Sequence, residues 1–400
     1  MQMPGVIPVP MTAGRHQDHM TIAGIGAVSG YGWGRETLWE GLLSGKPAAR
    51  LFPGYGLGRD RQGWVARVPE GGDPDLPLSR YLRAVLGSAR EAVADARDRG
   101  WRPGRTVGLL HAIVLGNAHE WRDFYTVDAG QRANRDYLRL LPSTPISMLM
   151  SEFGFHGPAM NVTAACSSSN VALIIAQLWL AQGIADDVLV LTTDLSAIPE
   201  MVQPFVSLGA AVDDADPLDA CRPFQEGSRG FGFGEASVSF LVTREAADPY
   251  AAMLGGAMSN DGHHVISVEP SYEQIFECVR RALANADVRP DEVAYLNSHG
   301  SGTAQCDMAE TALLAAIFDD RPEVVALKPL AGHCQAASAG VEVAAAALGY
   351  ERGLLVSAPI VAPAQVRLVD GVRSGVDGIT VKTALGMGGN NSAVVLGPVG

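Results

Sequence analysis

A cysteine followed by three serines is the first group in this sequence that could carry out chemistry. Cys166 lies in the segment TAACSSS, directly before the apolar run Val171–Ala181, which we expect to form a buried helix. The dipole and the free N–H groups at the start of a helix favour the thiolate form of a cysteine. The same N–H groups could receive a carbonyl oxygen. A lone cysteine is more often a small buried apolar residue, so both interpretations stay open on this segment alone.

Two histidines occur in glycine-containing turns before predicted helices. His299 lies in NSHGSGT at the end of a predicted strand, which is where sites gather in α/β folds. His333 lies in KPLAGH before an alanine-rich helix. The positive end of that helix opposes an imidazolium, so we expect His333 to be neutral and able to donate one N–H to a substrate oxygen. Either histidine, taken alone, could equally be structural.

Charged residues and a glycine loop accompany the two histidines. Asp307 and Glu310 are three residues apart and share one face of the helix after His299. Lys328 could pair with either carboxylate, or it could be a surface charge. The loop LGMGGNN at Leu385–Asn391 lies between two apolar strands. Its N–H groups could complete an oxyanion hole, and an ordinary hairpin turn is the alternative.

Composition and spacing exclude several classes of protein. The chain of 400 residues has 30 basic and 43 acidic residues, and its net charge of −13 argues against binding to nucleic acid. The five cysteines show no CxxC spacing, so we expect neither a disulfide framework nor a metal site. Gly24, Gly26 and Gly30 lack the dinucleotide-binding spacing. We find no signal peptide and no apolar segment of about 20 residues, which predicts a cytoplasmic protein without a membrane partner.

Short apolar strands alternate with helices along the chain, which predicts the α/β class. Among them we predict a strand at Ala236–Thr243 and helices at Glu273–Ala286 and Ala309–Phe318. A pattern also repeats on either side of Asp248. Each part begins with a glycine-containing strand, enters an alanine-rich helix from a turn of small residues, and ends in an apolar hairpin. We predict a loose arm at 1–19 and a duplicated α/β unit whose copies are 20–247 and 248–400. Chance similarity in an alanine-rich chain is the alternative.

The segments TAACSSS, HGSGT, KPLAGH and GMGGNN, in this order, resemble motifs of the β-ketoacyl synthases of fatty acid and polyketide synthesis. RPF at 222–224 and DGHH at 261–264 resemble further stretches of that family, so the resemblance extends roughly from Met20 to Gly397. It implies the thiolase fold, with five layers in the order αβαβα built from the duplicated halves. It also implies a homodimer, or a dimer with a related ketosynthase-like subunit.

The resemblance further implies a decarboxylative Claisen condensation. Cys166 would take an acyl chain from the phosphopantetheine of an acyl carrier protein, and no cofactor would be bound permanently. His299 and His333 would hold the oxygen of a malonyl thioester as carbon dioxide leaves. Lys328, Glu310 and Asp307 would support the histidines, and the N–H groups of Cys166 and Met387 would form an oxyanion hole. Ser301 and Thr303 would contact the pantetheine arm. Leu385 and Met387 would form the gate of the acyl pocket.

This sequence departs from the family pattern at several positions. Leu385 and Met387 stand where the family usually has phenylalanine, and flexible methionine would soften the gate. Further departures are Gln225, Ser228, Arg229, Ala236, Ser237 and Ser301. These changes favour a divergent, stand-alone member of specialised metabolism over a housekeeping fatty-acid enzyme. Such a member could instead cyclise or release a carrier-bound chain through the same residues.

Other members of the superfamily provide alternatives. A non-catalytic partner subunit typically lacks the nucleophile, whereas Cys166 is present here. Degradative thiolases carry a second cysteine in the terminal glycine loop, and Leu385–Asn391 has none. Starter-unit synthases use a Cys-His-Asn set, which His333 does not match. A non-enzymatic scaffold is a further alternative.

Binding of an acidic carrier protein requires a local basic surface on this acidic chain. Two sets of arginines are candidates, although either could be a solvated helix face. The sets are Arg132, Arg135 and Arg139, and Arg97, Arg99, Arg102 and Arg105.

Overall fold

The computed structural model describes residues 19–127 and 134–399. The predicted arm lies outside these residues except for its last position, and so do Arg132 and the side chain of Arg135. The strands are β1 Met20–Ser29, β2 Gly32–Trp33, β3 Arg50–Tyr55, β4 Arg61–Val65, β5 Val107–Ala112, β6 Ala159–Val162, β7 Asp187–Asp194, β8 Ala236–Thr243, β9 Ala251–Asn260, β10 Val293–Asn297, β11 Glu323–Val325, β12 Leu354–Val356, β13 Val372–Ser374, β14 Ile379–Gly386 and β15 Asn390–Gly397.

Helices connect and cover these strands. They are α1 Arg35–Leu43, α2 Arg80–Asp98, α3 Ala118–Thr126, α4 Asn134–Leu140, α5 Thr144–Phe153, α6 Ser168–Ala181, α7 Pro199–Ser207, α8 Pro217–Ala220, α9 Glu273–Ala286, α10 Ala304–Phe318, α11 Lys328–Ala331 and α12 Ser338–Arg352, with short 3₁₀ turns at Pro290–Glu292 and Gln335–Ala337. Across residues 19–127 and 134–399, none of the helices combines the length and the apolar character needed to span a membrane.

The strand order repeats along the chain. Leaving aside β2, which pairs only with β1, the first five strands of the large sheet lie in the order β6-β5-β7-β8-β1, and the last five lie in the order β11-β10-β14-β15-β9. If the five strands of each run are numbered as they follow one another along the chain, both runs have the order 3-2-4-5-1. In each run the pairs on one side are parallel and those on the other side are antiparallel. Pairing of β1 with β9 joins the two runs into one sheet. The repeated order is that of a duplicated α/β unit.

Five layers pack around three large apolar cores, of which the central one surrounds the middle helices. Helices α6 and α12 pack together between the two halves of the sheet. Helix α2 covers one outer face, and α9 with α10 covers the other. The run VLVL in strand β7 is apolar at every position because both faces of the strand are buried. Val188 and Val190 face the central helices, whereas Leu189 and Leu191 face the outer core. The predicted five-layered αβαβα thiolase fold is confirmed.

Glycines in β1 have a packing role. A Cβ atom at Gly26 would lie 2.0 Å from the carbonyl oxygen of Ser88, and one at Gly24 would lie 2.2 Å from that of Ala92. Both acceptors belong to α2, which therefore lies directly on β1. This contact explains the glycine spacing without a nucleotide.

Candidate active site

A strained turn between β6 and α6 presents Cys166. Ala165 has a φ of 49°, a left-handed conformation that is uncommon for alanine. The three following serines fix this turn. The Ser167 hydroxyl lies 2.8 Å from the carbonyl oxygen of Ala384 and 2.5 Å from that of Asn390, and it can donate to either one. Ser168 bonds within the turn. The hydroxyl of Ser169 donates to a carbonyl oxygen just before α12. The TAACSSS segment is thus anchored mainly to the second half of the chain.

Most of the predicted site residues line one cavity of about 290 Å³. These are Cys166, His299, Ser301, Thr303, His333, Leu385 and Met387. The cavity also has an apolar side, formed by Phe205, Leu208, Phe231, Ile266 and Val268. Ser301 and Thr303 are hydrogen-bonded to each other at 2.9 Å between their hydroxyl oxygens. A cavity with one polar and one apolar side can hold a polar arm and an acyl chain together.

The thiol of Cys166 is protonated at rest. Burial raises its pKa to about 11, while the charge of Lys328 and the N–H of Met387 act in the opposite direction. Sequence reasoning favoured the thiolate because it considered the helix start and not the loss of solvation. The sulfur also lies 4.0 Å from the amide oxygen of Gln335. Because the Met387 N–H donates to the sulfur, this N–H is close enough to donate to the carbonyl oxygen of an acyl group attached to Cys166.

The two histidine rings are adjacent, with 5.6 Å between their centroids. The Nδ1 atom of His333 accepts the backbone N–H of Gln335 at 3.0 Å and lies 3.0 Å from the hydroxyl of Ser338. Since Nδ1 accepts a hydrogen bond, the proton of the neutral ring is on Nε2. His333 lies five residues before α12, in the loop after α11, rather than at the helix start.

Both histidines are held in the neutral form. Burial is the largest cause that lowers the pKa of each ring, and the positive charges of Lys328 and Lys382 lower it further. The lowered pKa of His333 agrees with the neutral ring expected from the sequence, although burial rather than the helix dipole is the main cause. Neutral rings can donate an N–H without first losing a proton.

Glu310 and Asp307 hold the loop that carries His299, rather than the imidazole itself. Glu310 accepts the N–H groups of His299 at 2.7 Å and Gly300 at 2.9 Å. Asp307 accepts the N–H of Gly302 at 3.2 Å and that of Phe224 at 2.8 Å. Burial raises the pKa of Glu310, and it raises the pKa of Asp307 to about 7. The two carboxylates therefore fix the HGSGT loop through its backbone.

The predicted pairing of Lys328 with Asp307 or Glu310 is wrong. Its ammonium group forms a 2.7 Å ion pair with Glu342 of α12 and also donates to the carbonyl oxygen of His299. A second buried lysine, Lys382, lies 2.7 Å from the other oxygen of Glu342. Lys328 reaches the middle of the molecule, where α12 supplies the carboxylate.

Sequence reasoning missed Glu342, Lys382 and Thr383. Thr383 donates to Glu310 at 2.6 Å, so it belongs to the same network. A signal was present in the sequence, since Glu342 interrupts a helix of small residues and Lys382 interrupts an apolar strand. Charged residues at such positions are buried and must be paired.

The glycine loop is tighter than predicted. Strand β14 continues to Gly386 and β15 begins at Asn390, so only Met387–Gly389 form the turn. Leu385 is buried against Ile275 and Ala309, whereas Met387 is half-buried at the cavity.

Two arginines proposed for carrier docking are paired within the chain. Arg99 contacts Asp95, Asp248 and Glu351, and its guanidinium lies over the ring of Tyr250. Arg139 lies 3.7 Å from Asp136. Both docking surfaces remain predictions.

Comparison with known proteins agrees with the fold and with this site. The family model described as "Beta-ketoacyl synthase, N-terminal domain" matches residues 17–247, and the model of the C-terminal domain matches residues 250–359. The chain is similar to a putative polyketide beta-ketoacyl synthase 1 of Streptomyces cyaneus, with 30% identity over 364 residues, 83% of this chain and 86% of the relative. It is also similar to the tetracenomycin polyketide synthase ketoacyl synthase alpha subunit of Streptomyces glaucescens, with 29% identity, 85% of this chain and 87% of the relative.

Solved structures show the same architecture. The ishigamide ketosynthase/chain length factor superposes with a TM-score of 0.83 at 22% identity, covering 96% of this chain and all of that one. A ketosynthase in complex with its chain length factor from Xenorhabdus doucetiae superposes with a TM-score of 0.82 at 24% identity, covering 98% of this chain and all of the other. Because the N-terminal family model alone spans more than half of the sequence, the chain belongs to the β-ketoacyl synthase family of condensing acyltransferases.

Proposed function

We propose that this protein is a ketosynthase of polyketide or related specialised-metabolite biosynthesis, which acts in the cytoplasm on chains attached to an acyl carrier protein. The observation that carries this proposal is the single cavity that contains the Cys166 thiol, two neutral histidines and the N–H of Met387. The polyketide assignment is supported by the names of the similar Streptomyces proteins.

The first step is acyl transfer. The sulfur of Cys166 loses its proton and attacks the carrier thioester, the bond to the pantetheine sulfur breaks, and the carrier thiol takes up the proton. The N–H groups of Cys166 and Met387 receive the carbonyl oxygen, which becomes negative in the tetrahedral intermediate. Ser301 and Thr303 hydrogen-bond the pantetheine arm. Leu385 and Met387 form the gate of the acyl pocket.

The second step is decarboxylation of a malonyl-type thioester. The bond between the carboxylate and the methylene carbon breaks, and its electron pair forms an enolate. His299 and His333 donate N–H groups to the enolate oxygen, and removal of one such donor typically costs about 3 kcal/mol in the transition state. Glu310, Asp307 and Lys328 hold the histidine loops in place.

The third step is condensation. The methylene carbon attacks the acyl carbonyl on Cys166, a carbon–carbon bond forms, and the carbon–sulfur bond breaks. The thiolate then takes up one proton. The products are a 3-oxoacyl carrier thioester, carbon dioxide and the free thiol.

Two organisational features belong to this proposal. We propose a division of the chain at 247/248, which is supported by the ends of the two family models. We also propose a dimer, either of two copies or with a related subunit. The second arrangement is supported by the two similar solved ketosynthases, each of which occurs together with a chain length factor.

The test is intact-mass measurement after incubation with acyl-carrier thioesters. We expect the wild-type protein to gain the mass of the acyl group and Cys166→Ala to gain nothing. Cys306→Ala is the matched control, because Cys306 also lines the cavity, and it should gain the same mass as wild type. Addition of malonyl-carrier should then release carbon dioxide and a chain extended by two carbons. A product of unchanged or cyclised chain length would contradict elongation.

A further inference from the structure

Lysine is rare in this chain, and its distribution is uneven. The 30 basic residues include only three lysines, Lys46, Lys328 and Lys382. Lys46 is exposed, whereas Lys328 and Lys382 are 2% and 0% exposed. Burying an ammonium group is unfavourable unless it is paired and hydrogen-bonded. Lys382, which has no part in the steps proposed above, therefore requires an explanation.

The contacts of Lys382 converge on the strand end that carries His299. Its ammonium group donates to the carbonyl oxygens of Ser298 at 2.8 Å, Thr383 at 2.7 Å and Asn297 at 3.4 Å. Lys328 donates to the next carbonyl oxygen, that of His299. The two lysines thus contact three consecutive carbonyl groups, at positions 297, 298 and 299.

These carbonyls lie where regular strand pairing ends. Lys382 is the register partner of Asn297 in the parallel pair of β10 and β14, and β10 ends at Asn297. Beyond this point the chain leaves the sheet and enters the HGSGT loop. A buried carbonyl group that has lost its strand partner needs another donor. The ammonium group supplies it from the neighbouring strand.

The charge of Lys382 also acts on the site. Glu342 pairs with both lysines, at 2.7 Å each, and Glu310 is the second carboxylate that faces Lys382. Burial and the neighbouring Lys328 lower the pKa of Lys382 to about 8 against the effect of these carboxylates. In turn, the positive charge of Lys382 lowers the pKa of His299 and of His333.

We propose that Lys382 is a positioning residue for decarboxylation. Its ammonium group holds the end of β10, and therefore His299, in the geometry that receives the malonyl thioester oxygen, and its charge adds to the burial that keeps both histidines neutral. This inference rests on the proposed function, since it assumes that the histidines act on a malonyl thioester. It assigns Lys382 no role in acyl transfer to Cys166.

The experiment separates the two half-reactions. Release of carbon dioxide from malonyl-carrier and acylation of Cys166 are measured for wild type, Lys382→Met, Lys382→Arg and the exposed-lysine control Lys46→Met. We expect Lys382→Met to slow carbon dioxide release by roughly ten- to a hundredfold, by analogy with the loss seen when the hydrogen-bond partners of metal-binding histidines are removed. The rate of acylation should change by less than about threefold, which is the size of effect expected from a residue that takes no part in that step. Lys382→Arg should recover part of the loss, and Lys46→Met should behave as wild type.

The pH dependence gives a second readout. Without the positive charge, the histidine pKa values rise, so the acid limb of carbon dioxide release should move to higher pH in Lys382→Met. If that variant does not fold, Lys382→Arg provides the test. Carbon dioxide release by wild type should fall above pH about 8, where Lys382 loses its proton. Arginine stays charged, so in Lys382→Arg this fall should occur at higher pH. The inference would be overturned if a folded variant lost the same factor in the rates of both half-reactions, or if the acid and alkaline limbs of the pH profile for carbon dioxide release did not move. Absence of carbon dioxide release by wild type would instead overturn the proposed function.

Discussion

At the scale of single residues, the site combines an uncharged thiol with uncharged imidazoles. Burial raises the pKa of Cys166 to about 11 and lowers those of His299 and His333. A neutral constellation avoids the large cost of isolated charges in a buried cavity. The thiol must therefore lose its proton during acyl transfer and not before it.

The protonation state of Cys166 predicts its reactivity. Only the thiolate is alkylated, so the rate constant for iodoacetamide should rise about tenfold per pH unit from pH 7 to pH 10, without a plateau near neutrality. Peptide mapping by mass spectrometry would follow this one residue, with Cys306→Ala removing the other cavity thiol. A rate that levels off below pH 8 would show a thiolate at rest and would contradict the pKa.

The motif residues could be predicted from the sequence, but their partners could not. Cys166, His299 and His333 share a cavity, as the resemblance of their segments to the β-ketoacyl synthases implied. The partner of Lys328 was predicted incorrectly, because Asp307 and Glu310 were the carboxylates associated with His299 in the sequence. The carboxylate that meets Lys328 is Glu342, on a helix of the central layer, and only the packed fold brings the two together.

At the scale of elements, the central helix α12 lies unusually close to β7. A Cβ atom at Gly340 would be 2.3 Å from the hydroxyl oxygen of Thr192 and 3.3 Å from that of Ser169. Gly340 therefore sets the distance between the helix that follows His333 and the sheet.

Overpacking at this contact should destabilise the fold. We expect Gly340→Ala to lower the free energy of unfolding by about 1 to 3 kcal/mol, the usual range for an added methyl group in a tight core. Denaturant unfolding would measure it. In Gly340→Ala/Thr192→Ala the loss should be smaller than the sum of the two single losses, because the clashing hydroxyl is gone. Strict additivity would show that the strain lies elsewhere.

Elements with regular periodicity were predictable, and those defined by tertiary contacts were not. Helix α9 and strand β8 have the predicted bounds, Glu273–Ala286 and Ala236–Thr243. Helix α10 begins at Ala304, five residues before the predicted start at Ala309. Its first turn carries Cys306 and Asp307, and the latter is buried by the RPF segment rather than by an apolar face. Helix α3 was missed because none of its side chains is buried.

At the scale of the whole molecule, one edge of the sheet is available for association. Strand β6 is the last strand of its half, and its Met160 is 44% exposed. Edge strands with exposed apolar side chains are sites of strand pairing between chains.

Association through β6 is testable with a matched pair of variants. Light scattering should give wild type twice its chain mass of 42.0 kDa, and Met160→Glu should give the single mass because it places charges at the edge. Met258 is similarly exposed, at 42%, but it lies on β9, which four strands separate from β6, so Met258→Glu should remain dimeric. A monomeric wild type would indicate that the partner is a different chain.

The repeated strand order has a consequence for the origin of the site. Cys166 precedes α6 and His333 precedes α12, so the two groups occupy corresponding turns, each after the third strand of its half. An ancestor with a single copy, assembled as a symmetric pair, would have carried the same residue at both turns. Once the gene was duplicated, mutation could change one copy without the other and so give sulfur to one turn and imidazole to the other. The division of labour between the halves is therefore a product of their shared ancestry.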